Sequence, residues 1–493
     1  MRKIIIVSLL LINCIHSLGQ IKNPGFENIK DTVDRKPENW NVTKVQGFVI
    51  SVDHDTKFQG LNSLSVIGSD NVNESSFAPF SQILTIDTPN LRQVSISAYI
   101  KTKDIKGSVG LWCQILDKKG NIIGFQNSQI QNVLINGTND WSKYKLSLSL
   151  DTNAKRIVFG GYLQGFGSAW FDNFKLNNFI KREGKTSKEV VDFLTEVIDL
   201  IKEHSIVANK LNWSDINENI TKLSLGLNKT QDAQDVLEYI LNQLKLVGDN
   251  HSLILSKEMA DNYARGNNAG STELIDSLVS NNIGYIKLNG FSTTNVLTSQ
   301  KFASKIQNII RRINKHHIKG WIIDLRNNSG GNMYPEIAGL GPLLGNGVAG
   351  YFVRTIGGSK KYTSWSYNDG KVYIGKVLVM QVKDDYKLKN SATRIAILIG
   401  NKTSSSGEMI AVSFKNKKNT RFFGQASGGY LSANQGYKLS NGDVFYLASG
   451  NVADRNKNEY DDKLIPEILI DEDTHKNPNE LITVARNWIL RVL

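Results

Sequence analysis

At 493 residues the chain exceeds what one ordinary core accommodates, and 40% hydrophobic with 21% charged residues is usual for globular domains, so two or three domains are expected. Lys and Arg outnumber Asp and Glu by 59 to 46, yet runs such as "RRINKHHIKG" and "FKNKKNTRFF" fall at expected helix ends, where cations complement the helix dipole. No zinc-finger spacing or RNA-binding aromatic pattern accompanies them, so nucleic acid is not an expected partner, and no apolar run after residue 20 is long enough for a transmembrane segment.

Residues 1–19 combine "MRK", the apolar "IIIVSLLLI" and the small residues "SLG", the pattern of an export signal cleaved after Gly19. The expected location is periplasmic, cell-surface or secreted. Without that segment Cys113 is the only cysteine, which excludes an intramolecular disulfide and makes a zinc cage unexpected.

From 20 to 180, short alternating runs such as "QVSISAYIKT", "SVGLWCQIL" and "RIVFGGYLQG" separated by turn residues predict an antiparallel β-sandwich. The order "NPGFE", "GLNSLSV", "NGTNDWSKYKLSLSL", "SAWFDNFKL" resembles jelly-roll, galactose-binding-like carbohydrate-binding modules. That resemblance implies a structural calcium on Glu27 and Asp172, hard oxygen ligands; edge carboxylates in solvent are the alternative. It also implies a polysaccharide partner bound through Trp40, Trp112, Trp141 or Trp170, residues that core packing explains equally.

Between 181 and 255, "SKEVVDFLTEVIDLIKEHSIV" and "TQDAQDVLEYILNQLKLVG" carry apolar residues at three and four spacings, predicting amphipathic helices of a small subdomain. From 256 to 493, "NIGYIKL", "SQKFASKIQNIIRRI", "GWIIDLR", "PEIAGLGPLL", "KVLVMQV", "RIAILIG" and "GEMIAVSFK" alternate strand and helix, an α/β core with both sheet faces covered. "KVYIGKVLVMQVKDDYKLKNSA" reads as a hairpin or lid.

Reacting groups in α/β sheets gather at the carboxyl ends of strands, where three stretches qualify: "GDNHS", "DLRNNSGGN" and "TSSSGE". A serine at a strand-to-helix turn exposes its hydroxyl beside amides that stabilise an oxyanion, although Ser405 followed by Glu408 equally fits a helix capping box. Of seven histidines, His251 alone stands in a tight turn entering an apolar strand, a placement suited to a general base. The glycine pair Gly330 and Gly331 lets backbone approach a substrate closely.

In order, "VGDNHSL", "GYIKLNGF", "GWIIDLRNNSGGN", "TSSSGEMIA", "FFGQASGGYLSANQ" and "EYDDKLIPEI" resemble the C-terminal processing, or tail-specific, serine peptidases, the family that includes the tricorn core. The resemblance implies a crotonase-like or ClpP-like α/β core, peptide-bond hydrolysis in protein or peptide substrates and no catalytic cofactor. It places the nucleophile on Ser405 and the oxyanion hole on the amides of Ser406 and Gly330, with Gly331 as alternative. The lysine base of the bacterial branch is absent, Tyr430 standing in its place, which points to the tricorn-like branch with His251 as base. That branch implies a supporting carboxylate, here Asp461, with Glu459 and Asp462 as competitors. A non-catalytic binding protein on the same scaffold, or a glycan-binding protein acting through the sandwich, are the other readings.

Overall fold

The computed structural model describes residues 20–491 apart from 71, 73–75, 87–90, 132, 181, 267–273, 281, 317, 389–392 and 471–479; the expected export signal lies outside the described residues. None of the described helices is long and apolar enough to cross a membrane. The described residues form two compact units, one of those up to Val190 together with Asn212–Leu246, the other of Val191–Leu211 together with those from Val247 onward.

The first unit is the expected antiparallel β structure. Its two longest strands, Leu91–Leu116 and Arg156–Ile180, pair along most of their length. A straight strand of 26 residues would span about 85 Å, far more than a domain of this size, so both must bend. Their register breaks between Phe166 and Ser168, between Asp172 and Lys175 and between Phe179 and Ile180, irregularities of the kind that let paired strands bend. Inside lies an aromatic cluster in which Trp40, 6% exposed, packs against Phe26, Phe80, Phe159 and Phe174, so this tryptophan is core and not a sugar platform.

The helical stretch 181–255 is divided between the units. Helices Trp213–Leu223 and Gln234–Leu246 join the β structure through polar ties: Tyr239 Oη donates to Asp151 at 3.2 Å, the Thr152 amide to Asn219 Oδ1 at 2.7 Å, and Arg92 pairs with the buried Asp235. Helix Lys188–His204 buries Val190, Phe193, Leu194, Val197, Ile198 and Ile201, the stripe its spacing predicts, and its Glu196 accepts the Ser440 amide of the second unit.

The second unit contains the α/β core. Its six-stranded sheet runs in the order Ile275–Val279, Ile283–Lys287, Gly320–Asp324, Arg394–Ile399, Thr420–Gly424, Ile468–Leu469, parallel after the first pair. Strand Gly320–Asp324 is buried throughout, because helices Val296–Ile313, Met333–Leu344 and Ser406–Phe414 share one apolar cluster with the sheet, and helix Glu480–Leu490 shares another. Arg311 and Arg312 close the last turn of their helix, where cations meet the negative dipole end.

A second, antiparallel sheet in this unit is built around strand Val444–Asp454, which pairs with Leu253–Leu255, Gly347–Ile356 and Ser432–Lys438. The stretch read as hairpin or lid is a hairpin of this sheet, Lys371–Ile374 with Val377–Gln381. The segment "KVLVMQV" therefore belongs to the antiparallel sheet and not to the parallel core.

Candidate active site

Three loops meet at the carboxyl end of the parallel sheet in the second unit. The turn after strand Arg394–Ile399 is tied to the end of strand Gly320–Asp324: Thr403 Oγ1 donates to the Leu325 carbonyl at 2.8 Å and accepts the Gly400 amide at 3.0 Å. The Ser404 amide donates to the Asn328 carbonyl at 2.9 Å, which brings the loop "RNNSGG" beside the serines. At the strand end Asp324 is fully buried; desolvation pushes its carboxyl up, but the Arg326 guanidinium at 2.7 Å and Tyr285 Oη at 2.7 Å outweigh it and hold it below the usual range.

Ser405 precedes helix Ser406–Phe414 with φ 52° and ψ −120°, a conformation that L residues rarely adopt. The strain turns the side chain out of the helix start, as a nucleophile elbow requires. The expected capping box is present: the Glu408 carboxylate accepts the Ser405 amide at 2.9 Å, and the Ser405 side chain faces the Glu408 amide. Ser405 Oγ also lies 2.8 Å from His251 Nε2. The serine and histidine that the motifs single out thus meet across 154 residues.

His251 sits in a turn fixed by Asp249, whose carboxylate accepts the amides of His251 and Ser252 at 3.0 and 2.9 Å and the Ser252 hydroxyl at 2.6 Å. Asn434 Nδ2 donates to the His251 carbonyl at 2.8 Å. The other ring nitrogen, Nδ1, lies 2.8 Å from Ser432 Oγ. We assign Nδ1–H as donor to Ser432, which leaves Nε2 to accept the Ser405 hydroxyl proton, the tautomer a general base needs. Burial drives the imidazole down to about 4 against the opposing charge of Asp249, so the ring is neutral at pH 7.

Asp461, expected to support the histidine, lines the same cleft as His251, with Gly429, Leu431, Ser432 and Asn250. The Nδ1 contact goes to Ser432 instead, while Glu459 is committed to Lys360 and Tyr362. Tyr430, in the place of a lysine base, presents its ring edge-on to His251 with centroids 5.7 Å apart.

Gly330 has φ 112°, and a Cβ there would stand 2.9 Å from Ser405 Cβ, so its backbone lies directly against Ser405. Its amide donates to Asn328 Oδ1 at 3.1 Å in this state. An oxyanion would have to share or displace that acceptor. Ser406, the other expected donor, opens the helix, where its amide is one of those with no intrahelical acceptor, and its hydroxyl is buried without a partner.

Sequence reasoning missed Ser432, Asn434, Asn328 and the extent of Glu408. Besides Ser405, Glu408 accepts Ser427 Oγ at 2.5 Å and the amides of Gly429 and Tyr430, each at 2.9 Å. Only its place in the capping pattern was legible.

In the first unit Glu27 and Asp172 converge on one loop. Glu27 accepts the Leu61 amide at 3.1 Å, and Asp172 accepts those of Phe58, Gln59 and Asn173 at 3.0, 2.9 and 2.6 Å. Burial and then these bonds act in opposite senses on Asp172, with the Glu27 charge adding to burial, and its carboxyl ends above the ordinary value. Among the described residues no group of three or more His, Cys, Asp or Glu side chains is placed to hold a metal, so calcium here would need backbone carbonyls as further ligands.

Residues 282–470 match the model of Peptidase family S41. The chain is 36% identical over 148 residues to a nisin-resistance protein of Lactococcus lactis subsp. lactis, covering 30% of this chain and 45% of the relative. It is 25% identical over 189 residues to an uncharacterized HTH-type transcriptional regulator, YbfP, of Bacillus subtilis strain 168, covering 36% and 63% respectively. The chain thus spans less than two thirds of either curated relative. Among solved structures, a lipoprotein from Streptococcus agalactiae superimposes with a TM-score of 0.51 at 24% identity, covering 62% of this chain and 98% of that one, a likeness of fold.

Proposed function

We infer that this chain, which carries a Peptidase S41 domain over residues 282–470, is an exported serine peptidase acting on protein or peptide substrates through Ser405 and His251. The observation that carries the reading is the 2.8 Å contact of His251 Nε2 with Ser405 Oγ at a strained strand-to-helix turn. His251 removes the Ser405 proton as the oxygen attacks a peptide carbonyl. The proton then passes to the leaving amine, and water, deprotonated by the same imidazole, releases the acyl group. In this reading the helix-start amides beside Ser405 receive the developing oxyanion, together with the Gly330 amide once it is shared with or released from Asn328 Oδ1. Ser432 takes the orienting part that the resemblance assigned to Asp461.

A fluorophosphonate probe tests this directly: the folded protein is expected to gain one covalent adduct, mapped to Ser405. A folded protein that takes up no probe supports instead a non-catalytic binding protein on the same scaffold. Cleavage near substrate C-termini belongs to the proposal, and nisin, named for the Lactococcus relative, is the first peptide to offer as substrate.

The histidine's environment sets a pH dependence. Its folded pKa of about 4 lies below the ordinary 6.5, so the neutral base persists as pH falls through 6.5 and is lost only near 4. The same shift contributes folding stability that is present above 6.5 and disappears as pH falls through about 4. The acid limb of kcat/KM is therefore expected near pH 4. A limb at 6.5 or above would show a solvated histidine.

For the first unit, a structural calcium at Glu27 and Asp172 is proposed on the convergence of two carboxylates on one loop. Calcium should raise the melting temperature over that in EDTA, and Asp172→Asn should remove the difference; equal melting temperatures refute the site. Polysaccharide binding is proposed at the stack of Phe58, 39% exposed, on Tyr99 with ring centroids 3.6 Å apart, beside the half-buried Trp141. Retardation in gels containing polysaccharide, lost in Phe58→Ala, is the expected result; passage unretarded through a panel of glycans counts against it.

A further inference from the structure

Glu336 stands in the first turn of helix Met333–Leu344, where an acid ordinarily sits in water and gains from the helix dipole. Here it is fully buried. Its Oε1 accepts Asn328 Nδ2 at 2.8 Å, and its Oε2 is buried without a partner. Burying a carboxyl this way is costly, and a leucine would fill the space without that cost.

What the carboxyl holds explains its presence. Asn328, also fully buried, reaches three parts of the site at once. Its Oδ1 accepts the Gly330 amide at 3.1 Å, and its carbonyl accepts the Ser404 amide at 2.9 Å. It also packs so closely on the first turn of helix Ser406–Phe414 that a Cβ on Gly407 would stand 2.4 Å from its carbonyl oxygen. An asparagine amide can be rotated to exchange its oxygen and nitrogen. An acceptor at Glu336 Oε1 selects the orientation in which the NH2 faces Glu336 and the oxygen faces Gly330. Without that acceptor the amide is free to rotate and the Gly330 amide loses its Oδ1 partner, the bond that fixes the turn of the loop at Gly330, while the backbone bond from Ser404 to Asn328 remains.

We propose that Glu336 is a positioning residue of the hydrolytic site, acting through Asn328 to hold the Gly330 backbone in register with Ser405. The proposal rests on the peptidase reading. Burial pushes the Glu336 carboxyl up to about 8, consistent with a neutral group whose carbonyl oxygen is the acceptor. A glutamine in its place offers the same acceptor.

The test is steady-state kinetics on the full chain with a peptide that the wild type cleaves. Glu336→Leu is expected to lower kcat about 100-fold with KM unchanged, the size of effect a displacement of about 1 Å produces, and Glu336→Gln to restore kcat. Asn328→Ala should show the same loss, and Glu336→Leu combined with Asn328→Ala no more than either alone, since both remove one link. Should Glu336→Leu fail to fold, Asn328→Ala and Glu336→Gln decide the matter. Equal kcat in wild type and Asn328→Ala, a Glu336→Gln protein as slow as Glu336→Leu, or losses that multiply in the double variant each overturn the proposal. A wild type that neither cleaves peptide nor takes up fluorophosphonate fails the peptidase reading itself, a different result from an active wild type insensitive to position 336.

Discussion

Ser405→Ala and His251→Ala are each expected to lower kcat by about 10⁴-fold or more, and the double variant by no more than the worse of the two. The two groups share one proton across a 2.8 Å contact, so either substitution removes the same step. KM should change little, because neither side chain contributes extended binding surface. Folding should survive as well. Alanine at 405 keeps the amide that Glu408 accepts, and the turn around 251 is held by Asp249 and Asn434 through backbone groups. Measured kcat, with circular dichroism as the folding control, settles the matter. A His251→Ala protein retaining more than a tenth of wild-type kcat would identify another base, with Asp461 the next to test, as it lines the same cleft.

Glu408→Ala should cost both stability and turnover. The carboxylate gathers four donors, from Ser405, Ser427, Gly429 and Tyr430, and is itself fully buried. Each buried donor left without a partner costs about 1–3 kcal/mol, so a loss of at least about 3 kcal/mol is expected even if water reaches some of them. For a unit of this size that corresponds to a fall in Tm of about 6–12 °C. Turnover suffers for a separate reason. The same carboxylate sets both the strained backbone of Ser405 and the 427–430 loop, which places Tyr430 against the His251 ring and leads into Ser432. Thermal melts and fluorophosphonate labelling rates measure the two effects. A loss of about 1 kcal/mol with labelling unchanged would reduce Glu408 to an ordinary helix cap.

Several features were legible in the residues because they depend on local chemistry. The apolar runs "GWIID" and "RIAILI" become the central parallel strands, and the three- and four-residue spacing of Val190 to Ile201 becomes a buried helix face. The turn residues around His251 and Ser405 mark strand ends where side chains project into a cleft, and motif order adds that they belong together.

What joins His251 to Ser432 is not local. The two are 181 residues apart, and their contact exists because Leu253–Leu255 and Ser432–Lys438 both pair with strand Val444–Asp454. Counting residues back from "KLIPE" selected Asp461, which reaches the cleft but not Nδ1, since spacing along the chain carries no information about which side chain faces a ring across a sheet. Glu336 escaped notice for a related reason: its helical position reads as a solvated first-turn acid, and only the packing of three helices over one sheet face removes it from water. The sequence by itself determined most of the elements, their order and the candidate residues Ser405 and His251, because periodicity and turn chemistry act within a few residues. Tertiary structure alone decided which groups orient them, because burial and strand register are set by contacts between segments far apart in the chain.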